Sequence, residues 1–308
     1  MKLLLILGSI IVKKNYKILG EIMEYHKPQS FQEATEIASR NNGVTRFLAG
    51  GTDVLVQLRS DILTPDTLID MKYISGVKDI LENSDGWQIG VAVSGAEMSE
   101  HQKLSKEWPG VIEAMDLIGS TQVQGRATLT GNLCNGSPAA DSVPSLIAAG
   151  AHVSITGPSG TRKIKVEDVP ISPGKTCLRK GEVISAIHLP RRKHNQGDAY
   201  LRFIPRTEMD IAVVGCAVNL ELHDEIITKA RVSLGAVAPT ALLLENAAQK
   251  IIGSKLDNHA LKLLSEEASK ACNPINDKRG TIEFRTHVAG VLAKRTAKIA
   301  YERAKENR

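Results

Sequence analysis

Cysteine is scarce in this chain. Cys134, Cys177, Cys216 and Cys272 are far apart and form no C-x-x-C pair. That excludes zinc-finger and ferredoxin spacing, and a disulfide framework is not built from so few thiols in so long a chain. The four read as small buried hydrophobes rather than ligands. The eight histidines are scattered and H-E-x-x-H does not occur, so no metal site emerges. An excess of one charge is missing too. Lys+Arg 39 against Asp+Glu 34 gives +5, without the clustered basic face that nucleic-acid binding needs. G-x-G-x-x-G and the full P-loop pattern are absent, which leaves Rossmann and kinase readings unsupported. Tandem repeats and low-complexity tracts are also absent. What is there is ordinary: 42% apolar and 24% charged residues over 308 positions, enough for two domains or one large one with a sizeable core.

Long apolar runs are missing, with one short exception at the start. Leu3 to Val12 (LLLILGSIIV) is too short to span a bilayer. A signal-peptide h-region is one reading. Only Lys2 precedes the run, however, Lys13, Lys14 and Lys17 follow it, and no small-x-small cleavage site occurs before Met23. The expectation is therefore an N-terminal extension over residues 1–22, with Met23-Glu24-Tyr25 as the start of the folded part. Without that segment, 35 basic residues face 33 acidic ones, and the charge falls to +2 over 286 residues.

Ser30-Phe31-Gln32-Glu33 has the form of a capping box ahead of an amphipathic helix, which Asn42-Gly43 stops. Phe47-Leu48-Ala49 reads as a strand, Val54 to Arg59 as a short helix and Thr67 to Met71 as a second strand. Residues 44–71 thus form a small parallel βαβ unit. Trp87 to Val93 alternates as a half-buried strand, and a helix follows around Gly110–Ile118. Gly119 to Gly136 is rich in Gly, Thr and Asn and leads to a short helix at Ser145–Ala149. Val153–Thr156 and Arg162–Val166 about Pro158-Ser159-Gly160 suggest a hairpin, and Val183–Leu189 another strand. Arg191 to Asp198 is polar and reads as a linker or exposed loop. Beyond it, Ile211–Leu222 and Ile226–Val237 predict an antiparallel pair, followed by helices near Leu242–Ile252, Asp257–Ala271 and Thr281–Glu306. The expected fold class is α+β: a small parallel part plus a mixed or antiparallel sheet, then antiparallel strands packed on helices.

Two glycine-rich segments carry the chemistry. One is Ala49-Gly50-Gly51-Thr52-Asp53, between a strand and a helix; the other is Thr128-Leu129-Thr130-Gly131-Asn132. Glycines let backbone approach a ligand and aim consecutive N–H groups at an anion, and a helix N-terminus adds its dipole. Two such loops in one domain suit a pyrophosphate gripped from both sides, with hydroxyls from Thr52, Thr128 and Thr130 as further donors. Asp53 would be repelled by a diphosphate and is expected to turn away and cap the helix at Val54. Either segment alone is also compatible with a plain turn.

The second segment continues as Leu133-Cys134-Asn135-Gly136-Ser137-Pro138-Ala139-Ala140-Asp141. Together with the first, this pattern resembles the FAD-binding (medium) subunits of the molybdenum hydroxylases, the xanthine dehydrogenase and carbon monoxide dehydrogenase family. That family carries T-I-G-G-N-L-C-N-A-S-P-A-A-D after an A-G-G-T-D or A-G-G-H-S loop. The resemblance runs from Met23 to Arg308 and includes Arg279-Gly280 and Phe284-Arg285. Met23, Tyr25 and Pro28 fall on the family's usual beginning. It implies a two-subdomain FAD-binding domain over 23–195 and a C-terminal α+β domain over 196–308. Leu48, Ala49, Gly50, Gly51, Thr52, Asp53 and Val54 would form the first FAD loop and Thr128 to Asn132 the second. Asp141 would accept hydrogen bonds from cofactor hydroxyls, Ile118 and Ile184 would lie beside the flavin, and Arg202 would stand where many relatives carry a Lys near the ring. Read without the resemblance, Ile118 and Ile184 are plain core, Asp141 a helix cap and Arg202 a solvated strand residue.

Three positions depart from the pattern. Thr130 replaces the first glycine of G-G-N, Gln124-Gly125 stands where Arg-Asn is common, and Arg202 is not equivalent to Lys. The absence of clustered cysteines argues against the 4-hydroxybenzoyl-CoA reductase branch, whose medium subunit holds an extra cluster. The resemblance implies a cytoplasmic oxidoreductase subunit that binds FAD and has no membrane span or nucleic-acid partner. Molybdopterin and iron–sulfur clusters would reside in a large and a small partner subunit. Electrons would reach FAD through those clusters and leave to NAD, a quinone or oxygen. The alternatives are a stand-alone FAD-dependent oxidase or dehydrogenase, and a flavin-free assembly subunit.

Overall fold

The computed structural model describes residues 17–18, 21–206 and 209–307. The apolar run of the expected N-terminal extension lies outside the described residues. Near it, Lys17–Ile18 and Glu21–Ile22 pair as two short antiparallel strands.

The first layer is a three-stranded parallel sheet of β1 (Glu24–His26), β2 (Thr45–Leu48) and β3 (Thr67–Asp70), in the order β1-β3-β2. Helix α1 (Phe31–Arg40) connects β1 to β2, and α2 (Val54–Arg59) connects β2 to β3. The Ser30 hydroxyl accepts from the Glu33 N–H as expected of the cap, but the Glu33 carboxylate reaches one residue further back, to the Gln29 N–H. Unlike α1, α2 buries no residue.

The second layer is a five-stranded antiparallel sheet. Its strands are β4 (Ile80–Asn83), β5 (Gly86–Gly90), β6 (His152–Gly157), β7 (Gly160–Lys165) and β8 (Val183–Pro190), ordered β4-β5-β8-β6-β7. The strand expected to reach Val93 stops at Gly90, because the chain turns there to hydrogen-bond with Asp79 and Val77. Helices α3 (Pro109–Asp116), α4 (Leu129–Cys134) and α5 (Ser142–Ala149) lie between β5 and β6 in sequence, and every residue of α5 is buried. Trp87, Ile89, Trp108, Leu133, Leu146 and Ile184 belong to one continuous core with these elements.

A second core begins at Ala199. It is built on a four-stranded antiparallel sheet of β9 (Gln196–Phe203), β10 (Val214–His223), β11 (Ile226–Gly235) and β12 (Leu242–Leu243). Helix α6 (Asn258–Lys270) and the long α7 (Ile282–Glu306) cover it, α7 packing on β9 and β10. The stretch read as a linker is partly strand β9, and Asp198 is buried in an ion pair with Arg192. The reading failed because both faces of β9 are covered. Ala199 joins the core under α7, while Tyr200 packs with Ala114 and Ala148 of α3 and α5. Polar residues on the second face therefore look exposed in sequence and are not. The helix expected near Leu242–Ile252 is confined to Glu245–Gln249, since Leu242 and Leu243 pair with β11.

Among the described residues, no helix is long and apolar enough to cross a membrane, and no three His, Cys, Asp or Glu side chains cluster to hold a metal.

Candidate functional site

The first glycine segment follows the C-terminal end of β2, the side of a parallel sheet where ligand loops collect. Gly51 has φ +81°, a left-handed conformation in which a Cβ would also press on Leu48 at 2.9 Å. Gly50 has a different reason to be glycine. A Cβ there would lie 1.8 Å from the carbonyl oxygen of Arg126 and 3.3 Å from the Cα of Ala127. The two glycine-rich segments, more than seventy residues apart, are thus packed backbone to backbone. Asp53 does not cap α2. It already has helical dihedrals, φ −90° and ψ −51°, whereas a capping side chain needs an extended backbone to reach the first free N–H groups.

A cation missed by the sequence reading supports this loop. The Lys72 ammonium donates to the Ala49 carbonyl at 3.2 Å and to Asp70 Oδ1 at 2.6 Å, while the Tyr25 hydroxyl donates to Asp70 Oδ2 at 2.5 Å. Burial and the Asp70 carboxylate hold the Tyr25 phenol well above its usual range. The only sequence signal was an Asp-x-Lys at the end of β3.

The second segment is the start of a helix, not a loop. Thr128 is extended, φ −126° and ψ 151°, and its Oγ1 accepts from the Gly131 N–H at 2.9 Å; Leu129 to Cys134 are helical. Thr and Gly are poor helix formers, so the turn is stabilised by this cap and by burial of Leu129 and Leu133. The N–H groups of Leu129 and Thr130, in the first turn, have no intrahelical acceptor. The Thr130 Oγ1 is buried without a hydrogen-bond partner. Asn132 is turned inward, where its Oδ1 accepts from the Ser142 backbone at 3.2 Å and hydroxyl at 2.7 Å, tying α4 to α5. Gln57 of α2 donates to Asn135 at 3.3 Å and ties the two segments together a second time. Gln124, one of the departures, donates to the Asp116 carbonyl and closes the end of α3.

Asp141 stands at the start of α5 with helical dihedrals and no capping bond, so it is not the helix cap. Its Oδ1 accepts from the Tyr200 hydroxyl and its Oδ2 from the Arg202 guanidinium, each at 2.8 Å. Burial pushes its pKa up to about 6, against the opposing pull of Arg202 and the Tyr200 bond. Arg202 is neither solvated nor free. Its side chain is 3% exposed and committed to Asp141. Ile184 has no exposed surface and sits in the β8 core, whereas Ile118, just past α3, is half-buried against the same core. The structure therefore brings Gly50 against residues 126 and 127, links Asn132 to the start of α5 and Asp141 to Arg202, and places Ile184 in the core.

These residues suit a diphosphate-bearing cofactor: an orphaned buried hydroxyl and free N–H groups lie in the first turn of α4, and the glycine turn packs on the backbone just ahead of it. Residues 21–192 match the family described as the FAD binding domain in molybdopterin dehydrogenase, and residues 199–300 match the CO dehydrogenase flavoprotein C-terminal domain. The chain belongs to this FAD-binding family. Among its relatives, the carbon monoxide dehydrogenase medium chain of Hydrogenophaga pseudoflava is 29% identical, over 91% of this chain and 97% of that one. The xanthine dehydrogenase FAD-binding subunit of Escherichia coli O157:H7 is 28% identical over 89% of this chain and 94% of its own. The solved structure of the H. pseudoflava carbon monoxide dehydrogenase superposes with a TM-score of 0.88 at 30% identity, covering 91% of this chain and 98% of that chain. The cofactor of this FAD-binding subunit is accordingly FAD, and the subunit is part of an oxidoreductase.

Proposed function

We propose that this subunit carries electrons out of a molybdenum hydroxylase complex. A large molybdopterin subunit oxidises the substrate, a small subunit with two-iron clusters passes electrons on, and the final acceptor is NAD, a quinone or oxygen. FAD supplies the essential chemistry, being stable with zero, one or two electrons added, so that single electrons are collected and pairs released. This chain's residues bind and orient it. Leu48 to Val54 form the first FAD loop, with Gly50, Gly51 and Thr52 on the pyrophosphate, and Thr128 to Asn132 form the second, with the Thr130 hydroxyl and first-turn N–H groups as donors. Asp141 accepts from the hydroxyls of the polyol chain, Arg202 holds positive charge behind Asp141, and Ile118 forms an apolar wall with Ile184 behind it. The FAD-binding domain ends near residue 195, and the complex works in the cytoplasm.

The observation that supports this reading is the contact of Gly50 with the backbone of residues 126 and 127, which brings two distant parts of the chain together. The test is to co-express the chain with the large and small subunits of its own complex, purify the assembly and denature it. One FAD per chain, seen by the fluorescence of the released flavin, is expected. An assembly loaded with its metal centres but free of flavin would reject the proposal.

A further inference from the structure

We propose that Tyr200 and Arg202 form a latch from the C-terminal sheet that holds the Asp141 carboxylate in its FAD-binding orientation, so that the flavin site is completed only when the two halves of the chain are docked. This rests on the reading of Asp141 as the acceptor for the FAD polyol.

Asp141 lies in the first half of the chain, and both of its protein donors lie in the second. Tyr200 and Arg202 are two apart on β9 and so share the face turned toward α5. Each donates to a different carboxylate oxygen, both at 2.8 Å. Two bonds from a rigid strand fix the carboxylate's rotation, and each oxygen retains a lone pair for a ligand hydroxyl. The strand is itself pinned at this face. The Tyr200 N–H donates to Glu113 of α3 at 3.0 Å, and the Gly110 N–H donates to Asp198 at 2.9 Å. On the neighbouring strand, Gly215 leaves the space that the phenol occupies, since a Cβ there would stand 2.5 Å from the Tyr200 hydroxyl. Arg202 is buried and paired with Asp141. Its charge offsets the desolvation of the carboxylate.

The ionisable groups facing the Asp141 carboxylate are Tyr200 and Arg202, both from β9. Each favours its ionised form, the better acceptor for a hydroxyl. Loss of either donor makes protonation easier, so the pH below which FAD is released moves upward.

The experiment titrates flavin-depleted full-length chain with FAD between pH 5 and pH 8, following flavin fluorescence, for wild type, Tyr200→Phe, Gly215→Ala and Arg202→Lys. Wild type is expected to lose affinity as the pH falls through about 6. Tyr200→Phe removes one donor and keeps the ring, so roughly tenfold weaker binding at pH 7 is expected, with an upward shift of the midpoint. Gly215→Ala displaces the phenol and is expected to shift the midpoint the same way. Arg202→Lys keeps the charge but not the guanidinium's reach to Asp141, so its midpoint is expected to move upward as well. A Tyr200→Phe variant that melts like wild type and keeps its pH midpoint would overturn the latch and leave the FAD reading standing. A wild-type chain that binds no FAD at pH 8 would overturn both.

Discussion

Gly50 shows how a single residue decides the site. Its hydrogen faces the Arg126 carbonyl, and a methyl group would stand 1.8 Å from that oxygen. Backbone cannot rotate away as a side chain can, so Gly50→Ala must part the two segments. A loss of about 1–3 kcal/mol in stability and loss of FAD retention are expected, measured by thermal melting and flavin content. Thr130 makes the opposite case. Its hydroxyl is buried without a partner, so it costs the empty protein energy and is available to a ligand. Thr130→Val keeps the shape and removes the hydroxyl. It is expected to raise the melting temperature of the flavin-free chain and to weaken FAD binding; equal affinity for FAD in the two proteins would count against Thr130 as a donor. The glycines and threonines were legible in the sequence. Lys72 and Tyr200 were not, because each acts through a partner far away in the chain, Ala49 and Asp141 respectively.

At the scale of elements, periodicity served where one face is dry and the other wet. Helix α1 shows such spacing behind its capping box, whereas β10 and β11 are legible as two long strand-like runs about His223-Asp224-Glu225, β10 being buried except at Glu221 and His223. Periodicity failed at β9, where Gly197, Asp198 and Tyr200 are all buried because helices cover both faces. It failed again at α4, where Thr128-Leu129-Thr130-Gly131 has the composition of a loop and is helical because Thr128 caps it and Leu133 is anchored in the core. Helix α7 carries a comparable hidden contact. Arg285, 4% exposed, donates to the Val213 carbonyl at 2.9 Å, to the Ala236 carbonyl at 3.2 Å and to Asp277 at 2.7 Å. Arg285→Met fills similar space but strands two carbonyls and a carboxylate. A destabilisation of about 1–3 kcal/mol is expected in denaturant unfolding.

At the scale of the molecule, the two cores meet where α3 and α5 lie on the face of the C-terminal sheet opposite α7. That junction buries two carboxylates, Asp141 and Asp198, and burial raises the pKa of both. A raised folded-state pKa means that the stabilising contribution is complete below the unfolded value, near 3.9, and is lost as the pH rises through the folded value, about 6 for Asp141. The stability of wild type relative to Asp141→Asn is therefore expected to fall between pH 4 and pH 7. The change is of order 2–3 kcal/mol, since each tenfold difference in proton affinity between the folded and unfolded chain is worth about 1.4 kcal/mol, and parallel melts of the two proteins measure it. A gap that stays constant with pH would show that Asp141 titrates normally. The ionised carboxylate of Asp141, the proposed acceptor for FAD, is thus held at some cost to the stability of the flavin-free chain.

The sequence by itself determined the fold class, the order of most elements and the two segments of the proposed cofactor site. Those properties depend on local turn chemistry, capping and the spacing of apolar residues along the chain. Only the tertiary structure decided that Gly50 is packed against residue 126, that the turn after Thr128 is held helical by Leu133 in the core, and that Arg202 is spent on Asp141. Each of these rests on residues remote in the chain, and its energy comes from burial and hydrogen bonding that exist only once the chain has folded back on itself.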